Sequence, residues 1–308
     1  MTEGANAAPL LGRIFLVGVP RSGTTLLQAL LAAHPDITSF TESHFFSRCF
    51  TALPGLGAVL RDDPTPRLHE FLAENQADTP PAAAWFGPPS PAALRLPPLR
   101  PAATNEVARR LVNVLDELAR QRGAAFWLEK TPRHLQRLEL IRRACRDDIP
   151  TQFVHLVRRG PETVASLFDA SKHWERAYDL DECIRRWNDD LAITLTHLDE
   201  PGHHVVLYEA LTRDPESELR RLLGRLGLPW APTLLADYAR GAGALATPGE
   251  SWKQGTARAI APSSRVEEVL DPAQRDVVWA GIASERYEQV AAHALPGSTE
   301  ENGSGNVS

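Results

Sequence analysis

Residues 18–25 read Gly18-Val19-Pro20-Arg21-Ser22-Gly23-Thr24-Thr25, and the stretches on either side decide what they can be. Arg13 to Val17, just before them, is short, apolar and β-rich; Leu26 to Ala33, just after, is helix-forming and stops at His34-Pro35. A strand, a glycine-bounded loop and a helix in this order aim several backbone N–H groups and a helix N-terminus at one anion. The spacing of Gly18 and Gly23 is that of a P-loop, yet Thr24 stands where an ATP-binding P-loop has its lysine. Positive charge comes from inside the loop instead, from Arg21. A Gly-Thr-Thr helix start that merely caps itself is the plainer alternative, and the strand ahead of it argues against that.

The rest of the chain repeats the alternation. A helix near 104–122 carries Val107, Leu111, Val114, Leu115 and Leu118 on one face and ends at Gly123; Ala125 to Leu128 reads as a strand and 133–146 as helix. Phe153 to Val157 is a second clear strand, Pro161 opens a helix to about 172, and 180–199 is another helix. His204 to Tyr208 is a third strand, followed by helices near 215–226 and 272–291. Strands alternating with helices imply an α/β fold, P-loop-like and three-layered, with a central parallel sheet and helices on both faces. Ligands of such folds sit at the carboxyl ends of strands, and each polar motif of this chain begins where a strand ends.

Residues 12–295 read as a single domain between polar tails at 1–11 and 296–308 expected to be disordered. The segment 51–101 stands apart: it holds 11 of the 25 prolines with scattered apolar residues, so it reads as short helices and irregular loops on the acceptor side, or as a disordered insertion. A net charge of −6 argues against a general nucleic-acid binder. Cys49, Cys145 and Cys183 are too far apart for a zinc or disulfide framework. No segment approaches the length of a membrane span and the N-terminus lacks signal-peptide features, so a cytoplasmic location without a transmembrane anchor is expected.

The Pro20-Arg21-Ser22-Gly23-Thr24-Thr25 string resembles the 5′-phosphosulfate loop of sulfotransferases that use 3′-phosphoadenosine 5′-phosphosulfate (PAPS), most nearly that of the tyrosylprotein sulfotransferases and their bacterial relatives. The resemblance implies that Arg21, Ser22, Gly23, Thr24 and Thr25 hold the 5′-phosphosulfate. It implies a second anion site at Arg158 and Ser166, where the strand–Arg–turn–Ser pattern is similar to the family's 3′-phosphate motif. Lys130, in Trp127-Leu128-Glu129-Lys130-Thr131-Pro132, corresponds to a family lysine that stabilises charge on the leaving phosphate. In cytosolic sulfotransferases the catalytic histidine follows two residues after that lysine; here Pro132 stands there, and His134 is out of register. Tyrosylprotein enzymes take the acceptor proton with a glutamate, which puts Glu42 forward as base and His44 as runner-up. Tyr208 is expected near the adenine or the 3′-phosphate, or else in the core; Lys253 and Arg265 are candidates for further 3′-phosphate contacts.

The expected activity is sulfuryl transfer from PAPS to a hydroxyl or amine, leaving 3′-phosphoadenosine 5′-phosphate, with Glu42, Lys130 and Arg21 as the catalytic set and no metal. Acceptor classes left open are small molecules, lipids, sugars and peptides, and a homodimer is left open. Two competitors remain: a nucleotide-dependent small-molecule kinase, disfavoured by Thr24, and a non-catalytic nucleotide-binding protein on the same fold.

Overall fold

The computed structural model describes residues 9–53, 57–77, 101–146, 148–239 and 260–294. Among these residues seven strands are present: β1 (Gly12–Gly18), β2 (Ile37–Ser39), β3 (Phe50–Leu53), β4 (Gly57–Leu60), β5 (Phe126–Lys130), β6 (Thr151–Val157) and β7 (His203–Leu207). Five form a sheet in the order β2-β5-β1-β6-β7, and β3 and β4 form a separate antiparallel pair. β5 runs parallel to both β1 and β2, with Ile14 opposite Leu128 and Ser39 opposite Leu128 on the other side. All of β1 and all of β5 are buried, as central strands of a covered parallel sheet must be.

By contact density the chain divides into Met1–Val17, Thr24–Phe153 and Trp230–Ala259 on one hand, and Gly18–Gly23, Val154–Pro229 and Ile260–Ser308 on the other. The first unit contains α1 (Thr24–Ala32), α2 (Phe45–Arg48), α3 (Thr65–Glu74), α4 (Pro101–Gln121), a 3₁₀ turn at Pro132–Arg137, α5 (Leu138–Ala144) and the short α10 (Thr233–Ala236). Its core is pinned by a buried ion pair: Asp116 of α4 accepts from Arg13 Nε of β1 (2.9 Å) and from Trp127 Nε1 of β5 (2.8 Å). A buried charge persists only when paired and hydrogen-bonded in this way. α4 ends as its sequence predicts, with Gly123 at φ 67° and Ala124 N–H returning to Ala119 O.

The second unit contains α6 (Gly160–Ser171), α7 (Leu180–Thr196), α8 (Tyr208–Arg213), α9 (Pro215–Leu226), α11 (Val266–Val269), α12 (Pro272–Gly281) and α13 (Ser284–Ala294). Asp179 and Asp214 cap α7 and α9, and Asp271 with Gln274 forms a capping box on α12. Val157, Val164, Leu167, Trp187, Val205 and Val290 belong to its core.

Three expectations change. The helix expected over 272–291 is two helices: Asn188 of α7 donates to Gly281 O and accepts from Ala283 N–H, both at 2.8 Å, satisfying the backbone groups that a break exposes. The helix expected from 133 begins as a 3₁₀ turn, with His134 N–H bonded to Thr131 O. Within 51–101, residues 57–60 pair with 50–53 as a hairpin and 65–74 is helical; 78–100, including Trp85, lie outside the described residues. All three cysteines are buried free thiols. Among the described residues no helix is long and apolar enough to cross a membrane.

Candidate functional site

β5 reaches two residues beyond its sequence-predicted end, so Glu129 and Lys130 belong to the strand. Alternation along a strand sends successive side chains to opposite faces, and the two make separate sets of contacts. Lys130 Nζ, 1% exposed, hydrogen-bonds the Glu42 carboxylate and donates to Thr25 Oγ1 at 3.4 Å in the first turn of α1. Glu129 receives Ser43 N–H (3.0 Å), Ser43 Oγ–H (2.8 Å) and Thr131 Oγ1–H (2.6 Å) on one oxygen, while His134 Nδ1 faces the other at 3.0 Å. His134 Nε2 accepts from Phe46 N–H at 3.2 Å, which assigns the remaining ring proton to Nδ1, pointing at Glu129. Burial alone would raise the Glu129 pKa; His134, then Thr131 and Ser43, outweigh it and hold the carboxyl down at about 2.

The segment Thr41–His44 is therefore gripped from β5 and its following turn. It is also gripped from α3. Arg67 donates to Glu42 O (2.8 Å) and Ser43 O (2.7 Å), its guanidinium being held by Glu70 and Glu74. Asn75 accepts from Thr41 N–H at 3.2 Å. His44 takes the left-handed conformation (φ 53°) at the start of α2, with its N–H on Thr131 Oγ1 at 3.3 Å and its Nε2 3.6 Å from Glu42. Burial, reinforced by Arg48 and only partly opposed by Glu42, lowers the His44 pKa to about 4. The imidazole is neutral at pH 7.

In the second unit, the loop after β1 has its own constraints. A Cβ on Gly18 would lie 2.4 Å from Leu156 O, and one on Gly23 (φ 104°) would lie 2.5 Å from the Tyr208 ring. Ser22 Oγ donates to Leu156 O at 3.3 Å. Arg21 adopts φ 74° and its Nε lies 3.5 Å from Ser166 Oγ. A left-handed arginine is held at a cost of about 1–3 kcal/mol, as occurs where backbone serves a ligand. Arg158 follows β6. Its guanidinium lies 4.3 Å over the Tyr208 ring and donates to Ser263 O at 2.5 Å, and Tyr208 Oη is 3.1 Å from Ser263 Oγ. Arg158 Nε is buried without a hydrogen-bond partner.

The structure thus brings Glu42, Lys130 and Thr25 together, with Thr24 beside Thr25 at the start of α1, and separately brings Arg21 to Ser166 and Arg158 to Tyr208, the first residue of α8. It turns Arg265 to Asp169 (3.1 Å) and Glu268 (3.3 Å) at the surface. Lys253 lies outside the described residues. Glu129, Arg67 and Ser263 carry contacts that sequence reasoning missed. Glu129 lies within a recognised motif, but nothing in the sequence marked its burial; Arg67 and Ser263 lay outside any motif.

Residues 13–232 match the model of a family described as the sulfotransferase family. The protein-tyrosine sulfotransferase of Drosophila melanogaster is 28% identical over 242 residues, and protein-tyrosine sulfotransferase 2 of Gallus gallus 26% over 229. Each alignment covers 72% of this chain but only 39% and 53% of those relatives' own length. The fold is also similar to a solved sulfotransferase domain from the curacin biosynthetic pathway, with a TM-score of 0.51, 18% identity, and coverage of 92% of this chain and 98% of that one. With the family match spanning most of its length, this chain belongs to the sulfotransferase family.

Proposed function

We propose that this chain moves a sulfuryl group from PAPS to an acceptor hydroxyl, with Glu42 as the general base. The observation that carries the reading is the pair of buried Lys130 and part-buried Glu42 beside Thr25 at the start of α1. It sets a proton acceptor and a cation side by side, next to the first turn of the helix that follows the glycine-bounded loop. A further feature fits a phosphorylated nucleotide independently: the unpartnered, buried Arg158 Nε.

PAPS, when bound, supplies the sulfuryl group and leaves as 3′-phosphoadenosine 5′-phosphate. Glu42 takes the proton of the acceptor hydroxyl as that oxygen attacks sulfur and the bond to the bridging oxygen breaks. Lys130 and Arg21 carry the positive charge that the leaving phosphate needs. The N–H groups and hydroxyls of Ser22, Thr24 and Thr25 supply donors. Arg158 and Ser166, with Tyr208 beside Arg158, hold the 3′-phosphate; Lys253 and Arg265 are kept as secondary contacts to it. Similarity to protein-tyrosine sulfotransferases favours a phenolic hydroxyl, such as that of tyrosine, as the acceptor.

Calorimetric titration with 3′-phosphoadenosine 5′-phosphate in the absence of metal, beside ADP and Mg-ATP, tests the cofactor. Selective binding of the 3′-phosphorylated nucleotide, lost in Arg158→Ala, is expected. Preference for Mg-ATP overturns the reading in favour of a kinase.

A further inference from the structure

The turn from α7 to β7 places His197, Glu200 and His203 in the pattern His-x₂-Glu-x₂-His. Glu200 Oε2 lies 3.0 Å from His197 Nδ1 and 3.7 Å from His203 Nε2, and the three donor atoms lie within 4.8 Å of one another. A tetrahedral ion with bonds of about 2.0–2.1 Å keeps its donors about 3.3 Å apart, between the two shorter separations. Modest rotation of His197, on the turn, closes the third.

Two further observations point to a cation. His197 Nδ1 is buried with no hydrogen bond, its approach to Glu200 being close but poorly aligned. The His197 and His203 rings are stacked, with centroids 4.8 Å apart and planes 8° from parallel. Both rings approach the same carboxylate oxygen, Glu200 Oε2, so one ion can reach all three side chains.

Behind the cluster, His203 Nδ1 is 2.9 Å from His155 Nε2, and His155 Nδ1 is 3.2 Å from Thr194 Oγ1. If His203 Nδ1–H donates to His155 and His155 Nδ1–H to Thr194, the Nε2 lone pair of His203 faces Glu200. Such an outer partner on the second ring nitrogen is how proteins orient a metal-binding histidine. Run the other way, the proton chain ends in an Nε2–H pointing at Glu200 and excludes a metal.

We propose that His197, Glu200 and His203 bind one divalent transition-metal ion of zinc's class, completed by water, with His155 as the positioning residue. Two imidazoles and a carboxylate suit such an ion. The site opens β7, while Tyr208 follows its other end about 16 Å away. The ion thus ties the turn to the strand.

The test uses the untagged full chain, stripped with EDTA, titrated with Zn²⁺ by calorimetry and with Co²⁺ by visible absorption. One ion per chain at micromolar affinity or tighter is expected, with the strong visible bands of a four-coordinate site. Zn²⁺ should raise the Tm of the parent chain and leave that of Glu200→Gln unchanged. Glu200→Gln, at a part-exposed position, should weaken binding at least tenfold, and His155→Gln about 10–100-fold. Absence of saturable binding by micromolar Zn²⁺, or equal binding by the parent and Glu200→Gln, overturns the proposal. Should His155→Gln fail to fold, Glu200→Gln decides alone.

Discussion

Around Glu42, the backbone and side chains of residues 41–44 are tied down by Glu129, Thr131, Arg67 and Asn75, whereas Arg158, in the other unit, keeps a buried nitrogen without a partner. The first region is fully bonded by its own side chains. The second holds a buried donor left unpaired, which costs about 1–3 kcal/mol until it is satisfied. The difference suggests a division of labour. A base must be held in one place for proton transfer to be fast, while a nucleotide site gains affinity by leaving donors for the ligand to complete.

That division breaks most sharply in kinetics. Glu42→Gln should lower kcat by about 10²–10⁴-fold with the dissociation constant of 3′-phosphoadenosine 5′-phosphate unchanged. Arg158→Ala should do the reverse: loss of a charge-assisted contact, worth about 1.5–3 kcal/mol, weakens the nucleotide about 10–100-fold and leaves saturated turnover far less affected. Steady-state kinetics beside calorimetry separates the two, and parallel losses in both variants would dissolve the comparison.

The next largest effect is on stability. Glu129→Ala leaves Ser43 N–H, the Thr131 hydroxyl and His134 Nδ1 facing an empty buried space, so it should lower unfolding free energy by about 3 kcal/mol or more in urea titration. The sign with pH follows from the depressed carboxyl. Its contribution is fully present above about pH 4.5 and is lost as pH falls through about 2. Glu129→Gln should flatten the stability curve in that window. Arg158→Ala should cost less than Glu129→Ala, because the loss of its bond to Ser263 O and its contact with the Tyr208 ring is partly offset by removal of an unmet donor.

Gly23→Ala sharpens the other half. The added Cβ would sit 2.5 Å from the Tyr208 ring and be forced to φ 104°. Overpacking and the left-handed backbone together should cost about 2–5 kcal/mol. In Gly23→Ala/Tyr208→Ala the steric part should be recovered and the backbone part should remain, a distinction that a double-mutant cycle in thermal unfolding reads directly.

The anion loop, the alternating elements and the polar residues at strand ends were legible because each is local: glycine spacing, apolar periodicity and caps lie within about twenty residues. The brace around Glu42 was not. Ser43 meets Glu129 across 86 positions and Arg67 reaches back 24, out of a segment whose prolines suggested irregular loop. A glutamate at the end of a buried strand looks in sequence like one at a surface. Only the fold shows that it is fully enclosed and fully bonded. His134, out of register for catalysis in the sequence, has its ring committed to Glu129 and Phe46.

His44 gives the smallest effect, absent at pH 7, and it tests which residue is the base. The folded pKa of about 4 lies below the ordinary 6.5. As pH falls below 6.5 the unfolded chain therefore takes up a proton that the folded chain refuses. Stability from this group is complete above about 6.5 and drains away as pH falls through about 4. His44→Asn keeps a residue that tolerates the left-handed backbone and removes the titration, so its stability should fall less steeply over that window. His204, whose pKa burial also lowers to about 4, titrates in both proteins and cancels in the difference. In turnover at pH 7 the same variant should retain most of the parent kcat, since His44 approaches Glu42 only at 3.6 Å. A loss matching that of Glu42→Gln would move the base from the carboxylate to the imidazole, and the brace around 41–44 would then serve the histidine.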